Sequence, residues 1–432
     1  MTKRILSLFL LLCVFIPAAG CGSGTVPGGS PGASATTAPT PTATVPTTPE
    51  PTPTPDPVQA RLDAMTTEEK VGQLLMAGFE GTEPGDDDAV FLQDYQVGGL
   101  ILFGRNIESA EQLTALTNGL KALNGDQIPL LIGVDQEGGL VDRMPPEVHR
   151  TPGAYAVGST SDWDQGRALG AALAAECAGF GFHLDFAPVL DVWSNPDNTV
   201  IGKRAFGSDW KVVSGFGAAV SNALQAAGVI PVVKHFPGHG DTVVDSHMGL
   251  PVVDKSLEDL SLQELPPFRD LISGGETPSG MAEAVPAVMV AHILLSQIDP
   301  DNPASLSPEV VTGLLREEMG YEGVVCTDDL TMGAISNTYG MGEAAVLAVE
   351  AGCDLLLVCH GADNLAEAHA ALVEAVDSGR IPEERLDESV YRVLSLKAVY
   401  GLSNAPVEAP DIEALNDRIA ALERSIEADT SQ

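Results

Sequence analysis

Short apolar runs alternate with longer amphipathic stretches from residue 66 to residue 402 of the chain. Thr66-Thr67-Glu68-Glu69 has the pattern of a capping box and predicts a helix that continues through Leu74. The apolar runs predict eight strands, over residues 75–79, 98–103, 129–134, 184–188, 230–234, 287–291, 323–327 and 354–358. The amphipathic stretches predict helices between them, over residues 109–123, 162–179, 211–227, 308–318, 342–351 and 364–378.

Strands that are apolar on both faces and alternate with helices are typical of a parallel sheet covered on both sides. Eight such strand–helix units fit the α/β class and predict a (β/α)8 TIM-like barrel. A doubly wound open sheet is the alternative architecture, but it does not need eight units. We therefore predict a single catalytic barrel domain over residues 58–404.

Polar residues cluster where several of the predicted strands stop. The carboxyl ends of barrel strands meet on one face, where catalytic groups are found. Residues two apart on a strand share a face, so Asp135, Lys234 and Asp328 can all point over the mouth of the barrel. The polar strand exits are Arg105-Asn106, Asp135-Gln136-Glu137, Asp191, Lys234-His235, His292 and Thr327-Asp328-Asp329.

The N-terminal segment has the layout of an export signal. Lys3 and Arg4 precede the apolar run 5–16, and small residues stand directly before Cys21. This pattern resembles a bacterial lipoprotein signal, which predicts a signal peptide over residues 1–21 and a lipid on Cys21. An ordinary secretory signal cut nearby is the alternative. We expect an exported protein that contacts a bacterial membrane only through the lipid on Cys21.

The two remaining segments differ from the barrel in composition. Residues 22–57 are rich in Thr, Pro, Gly, Ala and Ser, and they have too few large apolar side chains to form a core, which predicts a disordered tether. In an extended form this tether would reach roughly 110 Å. Residues 405–432 predict a short acidic tail with one helix over 411–427.

The formal net charge of −38 comes from 60 acidic and 22 basic residues. Binding to nucleic acid needs a cationic surface, so we expect no nucleic-acid partner. The six cysteines show neither a disulfide framework nor the spacing of a zinc site. Cys353 and Cys359 lie at opposite ends of one predicted strand and are too far apart to pair.

The segment from Lys234 to His247 places a cation, three imidazoles and two carboxylates beside an apolar strand. A core strand cannot hold so many polar groups, so this segment predicts a loop that takes part in chemistry. Asp328 at a strand exit is the candidate nucleophile of a retaining glycosidase. An Asp-Asp pair after a strand could equally cap a helix. His247 is the candidate acid/base, because Asp245 two residues earlier can orient and polarise its imidazole.

Four motifs in the same order resemble the bacterial β-N-acetylglucosaminidase branch of family 3 glycoside hydrolases. The resemblance covers residues 71–402, nearly the whole predicted barrel. One departure from the family pattern is Leu140, where the family usually has Arg. The motifs are Gly133-Val134-Asp135-Gln136-Glu137-Gly138-Gly139, Ile201-Gly202-Lys203-Arg204-Ala205-Phe206-Gly207, Lys234-His235-Phe236-Pro237-Gly238-His239-Gly240-Asp241 with Asp245-Ser246-His247, and Thr327-Asp328-Asp329-Leu330-Thr331-Met332.

The resemblance implies a retaining exo-β-N-acetylglucosaminidase that needs no cofactor or metal. In the family pattern Asp328 attacks the anomeric carbon, and His247, with Asp245 as its partner, acts as acid and then as base. The expected substrate is a glycan that ends in N-acetylglucosamine, such as a cell-wall muropeptide, and we expect a monomer. The positions that match sugar-binding residues of the family are Asp135, Arg143, Arg204, Lys234 and His235.

Three other functions remain open from the sequence. A metal-dependent hydrolase could use the histidines and carboxylates of the 234–247 segment as ligands. A phosphorylase on the same scaffold is a closer alternative, because a histidine acid/base leaves room for anionic phosphate. A tethered carbohydrate-binding lipoprotein without catalysis is the third, and the presence of both Asp328 and His247 disfavours it.

Overall fold

A computed structural model describes residues 56–242, 245–246 and 249–430. Eight parallel strands form a closed barrel in sequence order, with β8 pairing back onto β1. The predicted (β/α)8 barrel and its eight strands are thus confirmed. The strands are β1 Leu75–Gly78, β2 Gly99–Leu102, β3 Leu131–Val134, β4 Leu184–Asp185, β5 Ile230–Phe236, β6 Ala287–Val290, β7 Val324–Asp329 and β8 Leu355–Val358.

The inside of the barrel is filled by apolar side chains from every strand. Gly133 on β3 leaves room for this packing, since a Cβ there would stand 2.6 Å from Met76 Cε. The ladders shift register near the carboxyl ends of two strands, between Val233 and Phe236 on β5 and between Cys326 and Asp329 on β7. Irregularities of this kind re-aim side chains, and both of these occur where polar residues follow the strand core.

Helices cover the outside of the barrel. The predicted capping box is present, with Thr66 and Glu69 capping each other at the start of α2. The other predicted helices are observed within three residues of the expected ends, and the stretch Glu309–Glu318 is wound as a π-helix. The helices are α1 Pro57–Leu62, α2 Thr67–Gln73, α3 Asp86–Gln93, α4 Ala110–Asn124, α5 Ala154–Gly158, α6 Trp163–Gly179, α7 Trp210–Ala226, α8 Leu257–Gln263, α9 Pro266–Ser273, α10 Gly333–Ser336, α11 Met341–Ala351, α12 Ala362–Asp377, α13 Glu383–Val399 and α14 Ile412–Thr430.

The C-terminal helix α14 packs against α6 on the outside of the barrel. Its apolar side chains Leu415, Ile419 and Leu422 are buried and belong to the same hydrophobic cluster as Leu169 and Leu173 of α6. Gln165 of α6 donates from Nε2 to Ser425 Oγ at 2.5 Å. The acidic helix that the sequence predicts at this end is therefore part of the barrel's outer layer.

The four cysteines in the described residues, Cys177, Cys326, Cys353 and Cys359, are free thiols and buried. Burial raises the pKa of each thiol. Across the described parts of the chain, no helix has the length and apolar character needed to cross a membrane. Cys21 and the rest of residues 1–55 lie outside the described residues.

Candidate active site

A cavity of about 220 Å3 opens at the carboxyl ends of the barrel strands. Charged residues and apolar residues both line it, and the apolar ones come mainly from the barrel interior. The lining residues are Ile101, Phe103, Asp135, Glu137, Val141, Arg143, Val200, Ile201, Arg204, Lys234, His235, His239, Ser246, Met289, Asp328, Asp329, Met332, Leu357, Cys359 and His360.

Most of the residues that the sequence predicts for the site line this one cavity. They are the candidate nucleophile and the five candidate sugar-binding residues: Asp328, Asp135, Arg143, Arg204, Lys234 and His235. Asp245 is half-buried on the loop after β5. His247, the candidate acid/base, lies outside the described residues.

Lys234 is buried and binds two carboxylates. Its Nζ lies 2.5 Å from Asp135 Oδ1 and 2.7 Å from Glu137 Oε1. Arg204 donates to both carboxylate oxygens of the same Glu137, from Nε at 2.8 Å and from Nη2 at 2.7 Å. Burial alone would raise the pKa of Glu137, but Arg204 and Lys234 hold it well below its usual range. The cluster therefore carries fixed charges, with hydrogen-bond donors and acceptors facing the cavity.

Asp191 anchors the loop that follows β5. Its Oδ2 lies 2.6 Å from His235 Nδ1, and its Oδ1 accepts from the backbone N–H of His239 at 2.6 Å. A Cβ at Gly240 would stand 1.8 Å from Val192 O, so only glycine permits the two backbone segments to approach this closely. These contacts fix the first part of the loop and orient the imidazole of His235 toward the cavity.

Asp328 stands at the end of β7, and its Oδ1 accepts from the backbone N–H of Asp329 at 2.8 Å. Burial alone would raise the pKa of Asp328, but His292, His235 and Lys234 lower it. The carboxyl is therefore ionised at neutral pH, as a nucleophile requires. Asp329 has a structural role, since it accepts from Thr331 N and Cys359 N at 3.0 Å each.

The end of the loop after β5 borders the same cavity through Ser246. The backbone oxygen of Ser246 accepts from Ala334 N at 3.0 Å, and its Oγ lies 3.4 Å from His239 Nε2. Asp245 O accepts from Gly249 N at 3.1 Å. Ser246 is thus held against α10, the helix that follows β7 and Asp328.

Other polar residues at strand exits have structural roles. Arg105 and Asn106 donate to backbone oxygens, both of them to Phe79 O. The two ring nitrogens of His292 lie 2.7 Å from Ser305 Oγ and 3.0 Å from Asp329 O. Leu140, the departure from the family pattern, is 70% exposed and does not line the cavity.

The sequence predicts no role for Glu137 or Asp191, although both residues stand at predicted strand exits. Glu137 pairs with a residue 67 positions later, and Asp191 with one 44 positions later. A single sequence carries no signal for such pairs beyond the position of both partners at strand exits. A parallel eight-stranded barrel with this charged cavity at its carboxyl end has the construction of a barrel enzyme.

Comparison with known proteins agrees with this class. Residues 66–396 match the glycosyl hydrolase family 3 N-terminal domain. The β-hexosaminidase of Nitrosomonas eutropha is 35% identical over 351 residues, which cover 79% of this chain and 97% of that protein. β-Hexosaminidase A of Pseudoalteromonas piscicida is 34% identical over 382 residues, covering 79% of this chain and 62% of the longer relative.

A solved structure gives the same result. The family 3 β-N-acetylglucosaminidase of a Paenibacillus species superposes with a TM-score of 0.77 at 42% identity, covering 83% of this chain and 68% of that one. The chain belongs to glycosyl hydrolase family 3, among the bacterial β-hexosaminidases, and is a glycoside hydrolase.

Proposed function

We propose that the protein is a retaining exo-β-N-acetylglucosaminidase that forms a covalent glycosyl-enzyme intermediate. The observation that carries this proposal is the position of Asp328, an ionised carboxylate at the wall of a small closed-ended cavity lined by Lys234 and His235. Sites for drug-sized ligands have volumes from roughly 300 Å3 upward. The cavity here has about 220 Å3 and is smaller than those sites. It therefore suits one terminal sugar ring.

The groups around the cavity suit the hydroxyl and acetamido groups of such a ring. Asp135 accepts hydrogen bonds from hydroxyls, while Lys234 and Arg204 donate. The Nε of Arg143 is buried and has no hydrogen-bond partner among the described residues. Because a buried guanidinium N–H without a partner is costly, an oxygen of the bound sugar is its natural acceptor. Solved and curated relatives carry the names β-N-acetylglucosaminidase and β-hexosaminidase, which supports this substrate class.

In the first step Asp328 attacks the anomeric carbon, and the bond from that carbon to the leaving oxygen breaks. His247 donates its proton to the leaving oxygen, and Asp245 stabilises the imidazolium beforehand. In the second step neutral His247 takes a proton from water as the water oxygen attacks the same carbon. Asp328 then leaves as a carboxylate, and the two inversions give net retention.

Turnover of an aryl N-acetyl-β-glucosaminide tests this assignment. Asp328→Ala removes the nucleophile and should lower kcat by about 10⁴-fold or more. His247→Ala should lower kcat by about 10²- to 10⁴-fold for a poor leaving group and far less for a nitrophenyl group, which needs no proton. Asp254→Asn, an exposed carboxylate beyond the loop, is the matched control and should leave kcat unchanged.

The product and the intermediate provide independent readouts. The first product seen by NMR should be the β-anomer, and a slow 5-fluoro substrate should add one sugar mass to the peptide that contains Asp328. An α-anomer as first product would exclude retention. Turnover that requires phosphate and yields a sugar 1-phosphate would identify a phosphorylase instead.

We also propose that the protein works outside the cytoplasm, anchored through a lipid on Cys21. The basic and apolar pattern of residues 3–16 and the small residues before Cys21 support export and lipidation. A tether over residues 22–57 would hold the barrel away from the membrane, where muropeptides or other external glycans are accessible. Preference for unrelated β-glucosides over N-acetyl-β-glucosaminides in a substrate panel would contradict this substrate.

A further inference from the structure

A buried polar network lies behind the loop that follows β3, and Gln136 is at its centre. The Nε2 of Gln136 donates to Glu176 Oε2 at 2.8 Å, and its Oε1 accepts from the backbone N–H of Arg143 at 2.7 Å. Its own backbone N–H donates to Asp185 Oδ1 at 2.9 Å. One side chain thus connects helix α6 to both ends of the segment that carries Asp135, Glu137 and Arg143.

Glu176 anchors this network from α6. Its side chain is fully buried, and Thr151 Oγ1 lies 2.5 Å from its Oε1. Thr151 in turn closes the loop, because its backbone N–H donates to Asp142 Oδ2 and its backbone oxygen accepts from Gly139 N. Glu176 therefore holds the segment 136–151 at two points, through Gln136 and through Thr151.

The surroundings of Glu176 favour its neutral acid form. Among the described residues no cation forms an ion pair with it, and its two oxygens contact a hydroxyl and an amide. The charged and titratable groups that face it are Asp142 from the loop, Cys177 from its own helix and, across Gln136, Asp185 from β4. Burial raises the pKa of Glu176 to about 8, with a contribution from the nearby Asp142, although the hydrogen bonds from Thr151 and Gln136 act to lower it.

We propose that Glu176 and Gln136 form a clamp that positions Asp135 and Arg143 for sugar binding, and that the clamp requires Glu176 as the neutral acid. The proposal rests on the proposed function in that the cavity binds N-acetylglucosamine. Thr151 Oγ1 and Gln136 Nε2 both donate to Glu176, and the neutral acid can reverse the first of these bonds by donating its proton to Thr151 Oγ1. A carboxylate at the same place adds a buried charge next to Asp142 without a compensating cation, which favours opening of the clamp.

The clamp predicts a loss of sugar affinity on the alkaline side. A group with a raised pKa in the fold loses its stabilising acid form as the pH rises through that pKa. The Kd of the wild type for N-acetylglucosamine, measured by calorimetry, should therefore increase about tenfold between about pH 6.5 and about pH 9.5. Glu176→Gln keeps one acceptor and one donor in the same positions, so its Kd should stay the same across this range.

Glu176→Leu keeps the bulk of the side chain but makes no hydrogen bonds, so it should bind the sugar about tenfold more weakly at both pH values. Thr151→Val is the second variant if Glu176→Leu does not fold, and it should weaken binding in the same way. An equal alkaline loss in the wild type and in Glu176→Gln would overturn the clamp. Wild-type affinity in Glu176→Leu or Thr151→Val at both pH values would also overturn it.

Hydrogen exchange separates the clamp from the proposed function, because it needs no ligand. Corrected for the intrinsic exchange rate, protection of the amides in residues 136–143 should fall above about pH 8 in the wild type and stay constant in Glu176→Gln. If this difference is seen but the sugar does not bind at any pH, the clamp stands and the substrate assignment fails. Protection that is constant in both proteins would contradict the clamp.

Discussion

Glu137 joins two cations of the cavity, because its carboxylate accepts from Nε and Nη2 of Arg204 and from the ammonium of Lys234. All three side chains are largely out of contact with water. The close pairs fix the directions in which Lys234 and Arg204 point. A sugar hydroxyl thus meets donors that are already oriented, and little is lost on ordering them when the sugar binds.

Replacing Glu137 by Gln should destabilise the protein by about 3 kcal/mol, because two buried cations lose their shared counter-charge. The free energy of unfolding in urea at neutral pH measures this loss. Glu80→Gln is the matched control, since Glu80 pairs with Arg105 at 3.1 Å but is 72% exposed. Its unfolding midpoint should equal that of the wild type. Equal effects of the two substitutions would mean that burial does not strengthen the Glu137 cluster.

The sequence predicts individual site residues better than it predicts their partners. Asp328, Lys234 and Asp135 stand out because each follows an apolar strand that must end at the barrel mouth. Glu176 gives no such signal, since it lies inside an amphipathic helix where a glutamate is expected to face water. Its burial comes from contacts with residues 25 and 40 positions away. Such contacts exist only once the barrel has closed.

At the scale of elements, the strands are predictable because each is buried on both faces, so an apolar run marks it directly. The positions at which the strands end are less predictable. Strand β4 keeps its ladder only over Leu184–Asp185, while β5 runs on through Phe236. The predicted helices do not include α1, α3, α5, α8, α9, α10 and α13. The apolar residues of α13 nevertheless recur at helical spacing, from Leu386 through Val390 to Val393 and Leu394, so the sequence does carry a pattern for this helix.

Helix α14 should contribute to stability through its buried side chains. Ile419 is 1% exposed in the layer that includes α6. Ile419→Ala leaves a cavity there and should lower the free energy of unfolding by about 3 kcal/mol. The neighbouring exposed residue provides the control, and Asp417→Ala should leave the melting temperature unchanged. If the Ile419→Ala protein has the same melting temperature as the wild type, this helix is not held against the barrel.

On the scale of the whole molecule, charge is distributed unevenly. Of the 22 basic residues in a chain of net charge −38, Arg143, Arg204 and Lys234 line one small cavity. Their charge is offset within the cavity by Asp135, Glu137 and the ionised Asp328. An acidic exterior repels polyanions at low salt and favours solubility. The cavity is therefore suited to a ligand held by hydrogen bonds and not by net charge.

The proposed lipid anchor concerns the whole chain, and fatty-acid labelling in a bacterial host tests it. The wild type should incorporate an alkynyl fatty acid and fractionate with membranes. Cys21→Ser should lose the label and leave the membrane fraction, because no other lipid site is expected. Cys13→Ser, within the same predicted signal, is the control and should keep both properties. Label that persists in Cys21→Ser would contradict the anchor.

The buried thiols bear on how the protein withstands oxidants. Cys359 forms part of the wall of the cavity, yet burial raises its pKa so that it stays a thiol at neutral pH. The same holds for Cys177, Cys326 and Cys353. Peroxides and disulfides react with thiolates, and neutral, inaccessible thiols are inert to them. The barrel can therefore keep four unpaired cysteines in the presence of oxygen, and preparations of it should remain active without a reducing agent.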